Sequence, residues 1–136
     1  MVILNLTQHT ASAEQLEVGV VDLTGDSLSA VKAMLTFKSV PTLKEVQYRA
    51  QGIAFIAKAM NVNHVMIGGA PYLMAPLENE LVMVGISYHY SFTERISVET
   101  TLPDGSVSKT AVFRHCGFVP EMPYIGGVYD PEDCGN

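Results

Sequence analysis

The chain has 136 residues, of which 48% are hydrophobic and 16% are charged. This balance predicts one folded domain with a sizeable core, and it excludes intrinsic disorder as well as two domains of ordinary size. The net charge of −6 argues against binding to bulk nucleic acid or to an anionic membrane, because both select basic surfaces.

Cysteine usage and hydropathy bear on location and on metal binding. Two cysteines, Cys116 and Cys134, are too few for a disulfide framework, so we expect free thiols and a cytoplasmic protein. The start of the chain lacks the basic and apolar regions of a secretory signal, and no apolar stretch reaches the roughly 20 residues of a membrane span. No spacing of Cys and His is typical of a zinc site, so we predict neither a metal nor a cofactor.

The first third of the chain alternates between short apolar strands and helical patterns. Residues 2–6 predict a buried strand, and a polar loop over 7–10 follows it. Ser12 and Gln15 match a capping box, which predicts a short helix that ends near Gly19. Residues 20–23 predict a second, weaker strand. Apolar residues at helical spacing then predict two more helices, after the turn at 24–27 and over 42–60.

A strand, a Gly-Gly pair and a proline follow one another in the middle of the chain. Residues 64–67 predict a buried strand, and Gly68 and Gly69 let the backbone turn where a side chain would block it. Pro71 suits the first position of a helix, which we predict over 72–84. A helix that begins there presents free backbone N–H groups, which favour an anion.

The last third of the chain has the pattern of paired strands. Residues 86–92 alternate apolar with polar side chains, and 95–101 continue in the same style. A turn at 102–106 and a partner strand over 107–113, prolonged to 119, predict a hairpin. We therefore predict a Rossmann-like α/β domain over 1–119, with a mostly parallel sheet, flanking helices and an antiparallel C-terminal hairpin. Residues 120–136 predict an irregular tail rich in Pro and Gly.

Ligands of open α/β sheets collect beyond the carboxyl ends of the parallel strands. This rule gathers the loops after the first and the middle strand, and a third loop at 93–95 if the strand from Ile86 breaks there. These loops would offer a mixture of groups that suits a phosphate or a carboxylate: hydroxyls, an imidazole, helix N–H groups and a guanidinium. The predicted ligand-binding residues are Thr7, Gln8, His9, Thr10, Gly68, Gly69, Ala70 and Arg95.

Structural roles for the same residues stay open. The glycine pair is also typical of a tight turn, and Thr7 and Thr10 would also complete a helix cap. Arg95 would equally pair with Glu94 or Glu99 across the hairpin. Tyr88 and Tyr90 share a strand face, which suits core packing or an interface as well as stacking on a base. For catalysis the sequence offers only His9 and His115, without a motif that assigns either of them a role.

Three segments resemble small uncharacterised proteins encoded by phages and prophages: residues 3–10 with Glu14 and Gln15 after them, residues 67–71 and residues 113–118. That resemblance spans most of the chain and implies no activity. The first twenty residues are also distantly similar to CRISPR-associated proteins of the CARF and ring-nuclease type. The second resemblance implies a Rossmann-like dimer that binds or cleaves a cyclic oligonucleotide, although no matching catalytic motif is present.

These observations lead to two expectations for function. The first is binding of a nucleotide or another phosphorylated small ligand, with cleavage left open, by a phage-encoded anti-defence factor that acts on a cyclic oligonucleotide signal. We expect that factor to be a homodimer, through the hairpin or the tail, in the cytoplasm of a bacterial host. The alternative is a protein–protein interaction module of phage origin without a small ligand. An open cleft at Gly68 and Gly69 would favour the first.

Overall fold

The computed structural model describes residues 1–122. Strands and helices alternate along them, and the last two strands follow one another without a helix. The strands are β1 (Ile3–Asn5), β2 (Val20–Asp22), β3 (His64–Ile67), β4 (Ser87–Thr101) and β5 (Val107–Val119), and the helices are α1 (Ala13–Glu17), α2 (Gly25–Leu35), α3 (Leu43–Ala59) and α4 (Pro71–Met83).

The five strands form one sheet in the order β2-β1-β3-β4-β5. Neighbours from β2 to β4 run parallel, and β5 pairs antiparallel with β4. The predicted α/β class, with helices that flank a mostly parallel sheet and a C-terminal antiparallel hairpin, is therefore confirmed. The parallel order places the carboxyl ends of β1 and β3 along one edge of the sheet, and β4 continues past this edge as far as Thr101.

Strand β4 is much longer than its parallel neighbour β3. It stays paired with β5 from Tyr90 to Thr101, and only a bulge interrupts the register at Phe92 and Thr93. The predicted break at 93–95 is therefore wrong. Threonine, isoleucine and valine recur along this part of β4 and favour extended chain, and the antiparallel partner satisfies its backbone without help from β3.

The sheet carries one core on each face. Helices α2, α3 and α4 cover the larger core, to which β3 contributes Val65 and Ile67. Met66, between them in sequence, points to the other face, where a smaller cluster lies beside α1. Tyr88 and Tyr90 pack against the larger core, and the Tyr90 hydroxyl donates to Glu78 Oε2 at 2.6 Å. The interpretation of these two tyrosines as core residues is confirmed.

The helix boundaries follow the local signals. Ser12 and Gln15 form the complete capping box predicted for α1. Thr42 caps α3 by accepting the Glu45 N–H, whereas the Glu45 carboxylate pairs with Arg49 at 2.8 Å instead of completing a box. Helix α4 begins at Pro71 and ends within one residue of the predicted position.

Two further expectations concern the end of the chain and its cysteines. Cys116 is disulfide-bonded, so the expectation of a free thiol is wrong at this residue. Residues 120–122 lie outside any helix or strand, and the rest of the predicted tail lies outside the described residues. Over residues 1–122, no helix combines the length and the apolar character that a bilayer span needs.

Leu77→Ala tests how strongly α4 depends on the core. Leu77 is fully buried, and truncation of a leucine in such a site costs about 2–5 kcal/mol of unfolding free energy. Urea unfolding measures the loss. The control is Val82→Ala in the same helix, where the side chain is 61% exposed and the change should stay within about 0.5 kcal/mol. Equal losses in the two variants would contradict the packing of α4 described above.

Candidate functional site

Three residues lie side by side where β1 and β3 end and β4 continues. The Leu6 N–H donates to the Met66 carbonyl at 2.8 Å, which brings Thr7 next to Gly68. Ile67 pairs with Tyr90, and Gly68 and Ser91 are the next residues of the two segments. We call the surface formed by Thr7, Gly68 and Ser91 the Gly68 notch.

The space above Gly68 is open on the side that a side chain would occupy. Among residues 1–122, a Cβ added to Gly68 would meet only one heavy atom within 4 Å, the Thr7 methyl carbon at 3.6 Å. At Gly69, where φ is +150°, the same test finds Met74 at 3.5 Å and Leu35 at 3.7 Å. An added side chain would therefore enter open space at Gly68 and would contact the larger core at Gly69, although Gly69 itself is exposed.

The loop from β1 to α1 is held by a buried amide. Asn5 is 4% exposed, and its Nδ2 donates to the His9 carbonyl at 2.7 Å and to Asp22 Oδ1 at 2.8 Å. Its Oδ1 accepts the Thr7 N–H at 2.9 Å and the Thr7 hydroxyl at 2.7 Å. Asp22 also accepts the Ala11 N–H. All four hydrogen-bonding positions of the Asn5 amide are thus used, and the loop has one defined path over the edge.

Some of the predicted ligand-binding residues lie at the Gly68 notch, and others point away from it. Thr7 lies at the notch, and the His9 N–H reaches the Thr7 hydroxyl at 3.3 Å. Ala70 is the N-cap of α4 and makes no side-chain capping bond. Gln8 turns away and donates to Thr36 Oγ1 at 2.9 Å. His9 and Thr10 are exposed.

Arg95 does not join the predicted loops. It lies on β4 four residues beyond Ser91, which is about 13 Å further along an extended strand. The predicted pairs of Arg95 with Glu94 or Glu99 are also not formed, since those carboxylates bind Arg114 at 3.1 Å and Lys109 at 3.6 Å.

A polar cluster on the α1 face borders the notch at Ser91. Ser91 Oγ lies 2.6 Å from His115 Nδ1, and Gln15 Nε2 donates to the same Oγ at 3.2 Å. The His115 ring packs against Phe118 with 4.7 Å between centroids. Burial lowers the pKa of His115, and the nearby Glu14 carboxylate opposes this shift. The cluster therefore holds a half-buried imidazole that favours its neutral form.

Sequence reasoning singled out His115 alone and missed Ser91 and Gln15. The three residues are separated by 24 and 76 positions in the chain, so no local motif joins them. One signal was available, because Tyr88 and Tyr90 on one face of β4 place His89 and Ser91 on the other.

A second histidine cluster lies further along the same face. His64 Nδ1 is 3.0 Å from His89 Nε2, and His89 Nδ1 is 2.7 Å from the Pro120 carbonyl oxygen. A carbonyl only accepts, so His89 donates through Nδ1 and accepts from His64 through Nε2. Burial, and repulsion by His89, lower the pKa of His64. This pair ties the end of β5 to the sheet.

An apolar groove lies beside the start of α4, on the face that carries α2 and α3. Its volume is about 640 Å³. The Phe37 and Tyr72 rings meet edge-to-face at 5.1 Å, and the Arg49 guanidinium lies 4.2 Å from the Phe37 ring centre. Val40, Pro41, Leu43 and Val46 complete the apolar part of its lining.

Comparison with known proteins identifies a family whose members are described as uncharacterised. A model described as "Uncharacterized protein MJ1673 family" matches residues 1–119. No curated protein and no solved structure matches the chain. Within residues 1–122, no group of three or more His, Cys, Asp or Glu side chains is arranged to hold a metal ion.

Asn5→Ala tests the buried amide that holds the loop. It removes four hydrogen bonds and leaves several of their partners unsatisfied, so we expect a loss of about 3 kcal/mol in unfolding free energy. Urea unfolding measures this loss. Asn79→Ala, at an exposed position of α4, is the control and should change stability by about 0.5 kcal/mol or less. A similarly small change at Asn5 would show that the loop does not depend on this network.

Stability should fall on acidification because of His64 and His115. Both pKa values are lowered from 6.5 in the folded protein, so the unfolded chain binds more protons as the pH falls. The stabilisation is complete above about pH 6.5 and is lost progressively as the pH falls towards the lowered folded values. Urea unfolding at pH 7.5, 6.5 and 5.5 measures the slope.

Two variants test the pH dependence of the unfolding free energy: His64→Gln is the test and His9→Gln is the control. His64→Gln should flatten the pH dependence, because it removes one of the two responsible groups. His9→Gln removes an exposed imidazole outside both clusters and should keep the wild-type slope. A slope unchanged by His64→Gln would refute the role assigned to this residue.

Proposed function

Since the chain belongs to the uncharacterised MJ1673 family, we propose from its geometry that it binds a nucleotide or another phosphorylated small ligand at the Gly68 notch. One observation carries this proposal: the carboxyl ends of β1 and β3 meet there beside Ser91 of β4, and the space over Gly68 is open. Parallel sheets place their ligands at this edge because loops and helix N-termini converge on it.

The groups around the notch favour an anionic ligand. Helix α4 begins two residues after Gly69, and its N-cap Ala70 has no side chain that accepts from the first turn. Pro71 has no N–H and the Leu73 N–H donates to the Ala70 carbonyl at 3.0 Å, so phosphate is favoured here by the partial positive charge of the helix start rather than by those two groups. Gly68 lets such a ligand approach the backbone. His9 supplies an exposed imidazole at the neighbouring loop.

Cyclic oligonucleotides are the first ligands to test. The distant similarity of residues 1–20 to CARF and ring-nuclease proteins favours this class, and the likeness of the chain to phage proteins would make it an anti-defence factor that intercepts such a signal. A homodimer in the cytoplasm of a bacterial host belongs to the same proposal. The hairpin of β4 and β5 offers a surface for pairing, because Phe113 is 73% exposed on the part of the hairpin that extends beyond β3.

A second candidate function is a protein–protein interaction module without a small ligand. The groove beside Tyr72 favours it, because Val40 is 95% exposed and Leu43 is 72% exposed at its rim. Exposed apolar side chains that cluster in this way are typical of a contact surface. This candidate predicts no response to small phosphorylated ligands.

The ligand proposal is tested by thermal unfolding with cyclic di-, tri- and tetranucleotides. A ligand at 100 times its Kd adds about 2.7 kcal/mol to the unfolding free energy, which raises Tm by several degrees in a chain of this size. Gly68→Val should abolish the rise, because its side chain would occupy the notch, and the first carbon meets Thr7 only at ordinary contact distance.

Ser97→Val is the matched control for the added side chain. Ser97 is exposed on β4, away from the edge of the sheet, so this variant should respond like the wild type. No rise in Tm with any nucleotide, or a rise that Gly68→Val leaves intact, would contradict the proposed site.

A further inference from the structure

Ligand binding does not account for the cluster of Gln15, Ser91 and His115 beside the notch. Ser91 is an alcohol whose oxygen lies 2.6 Å from an imidazole nitrogen. Both side chains are half-buried, so the pair is held in place without being sealed from solvent. A serine paired in this way with a histidine is the arrangement that activates a hydroxyl as a nucleophile.

The hydrogen bonds suit a neutral His115 that accepts the Ser91 hydroxyl proton. Gln15 Oε1 accepts the Ser12 N–H at 2.9 Å, and this bond orients the amide so that Nε2 faces Ser91 and donates to Oγ. For the hydroxyl to be activated, it must donate its proton to His115 Nδ1. Since Nδ1 accepts, neutral His115 carries its own proton on Nε2. The lowered pKa of His115 agrees with this neutral form.

The surroundings keep the imidazole in position to take a proton. The Phe118 ring packs against His115, and the capping box of α1 fixes Gln15 from the opposite side. Glu14 lies near enough to raise the pKa of His115 against the effect of burial, and its charge would stabilise an imidazolium. Ser91 also lies next to Gly68, so a ligand in the notch would bring its phosphorus close to the hydroxyl.

We infer that Ser91 is a nucleophile towards a phosphoester held in the Gly68 notch, and that His115 accepts its proton. This inference rests on the proposed ligand class. Ser91 Oγ forms a bond to phosphorus while the bond from phosphorus to the leaving alcohol oxygen breaks. The proton passes from Oγ to His115 Nδ1 and then to the leaving oxygen. Water next hydrolyses the phosphoserine, His115 takes one water proton, and that proton returns to Ser91.

Diisopropyl fluorophosphate tests the nucleophile without knowledge of the natural ligand. Attack by Ser91 forms the bond from Oγ to phosphorus, expels fluoride and transfers the proton to His115. Mass spectrometry of the full chain and peptide mapping should find one adduct on Ser91. Ser91→Ala should abolish it, and His115→Gln should slow its formation at least about 100-fold, which is typical for loss of a general base.

The control is Ser97→Ala, which removes an exposed serine of the same strand and should label like the wild type. If the wild-type chain gives no adduct, or gives one at another residue, Ser91 and His115 have only a structural role. The wild-type result decides this even if Ser91→Ala fails to fold, and near-UV circular dichroism verifies the fold of His115→Gln.

Hydrolysis of two chromogenic probes tests the substrate class. Turnover of bis(4-nitrophenyl) phosphate that is lost in His115→Gln supports the phosphoester. Turnover of 4-nitrophenyl acetate alone would overturn that class. Nucleotide binding without labelling of Ser91 would overturn this inference and leave the proposed function standing. Labelling of Ser91 without a response to nucleotides would overturn the proposed function instead.

Discussion

The hydrogen bonds of the buried Asn5 amide are the constraint on which the candidate site depends. An amide this deep in the protein must satisfy two donors and two acceptor positions, and Asn5 does so with Thr7, the His9 carbonyl and Asp22. Thr7 and the His9 carbonyl are placed by the path of the loop after β1, and Asp22 is placed by the pairing of β2 with β1. The same bonds that satisfy the amide therefore place Thr7 beside Gly68, and they commit the Thr7 hydroxyl to the loop rather than to a ligand.

The open space at the edge of the sheet exists because Gly68 has no side chain, whereas the residues on either side of it have one. Thr7 and Ser91 flank Gly68 on neighbouring strands, and any larger residue at that position would fill the space. Gly69 differs, because Met74 and Leu35 pack against it and close the side that faces the larger core. The first glycine thus provides access, while the second allows the chain to turn into α4 with a positive φ.

The face of the sheet that carries α1 is unusually polar for a covered face. The pair of His64 and His89 and the cluster of Gln15, Ser91 and His115 are each held together by internal hydrogen bonds. The two groups differ in exposure. His89 is 3% exposed and binds the backbone at Pro120, which is typical of a structural contact, whereas Ser91 and His115 remain partly accessible at the edge where a ligand would lie.

Local patterns in the sequence determined the helices, most strand positions, the capping of α1 and the turn of the hairpin, because each depends on residues within a few positions of one another. They also indicated the edge of the sheet, through the rule for parallel strands. Only the tertiary structure decided that β4 runs unbroken past Arg95, because its pairing with β5 continues through this stretch. It alone brought Ser91 to His115 and Gln15 and separated the open side of Gly68 from the packed side of Gly69. Such contacts depend on the register between distant segments, which no local pattern encodes.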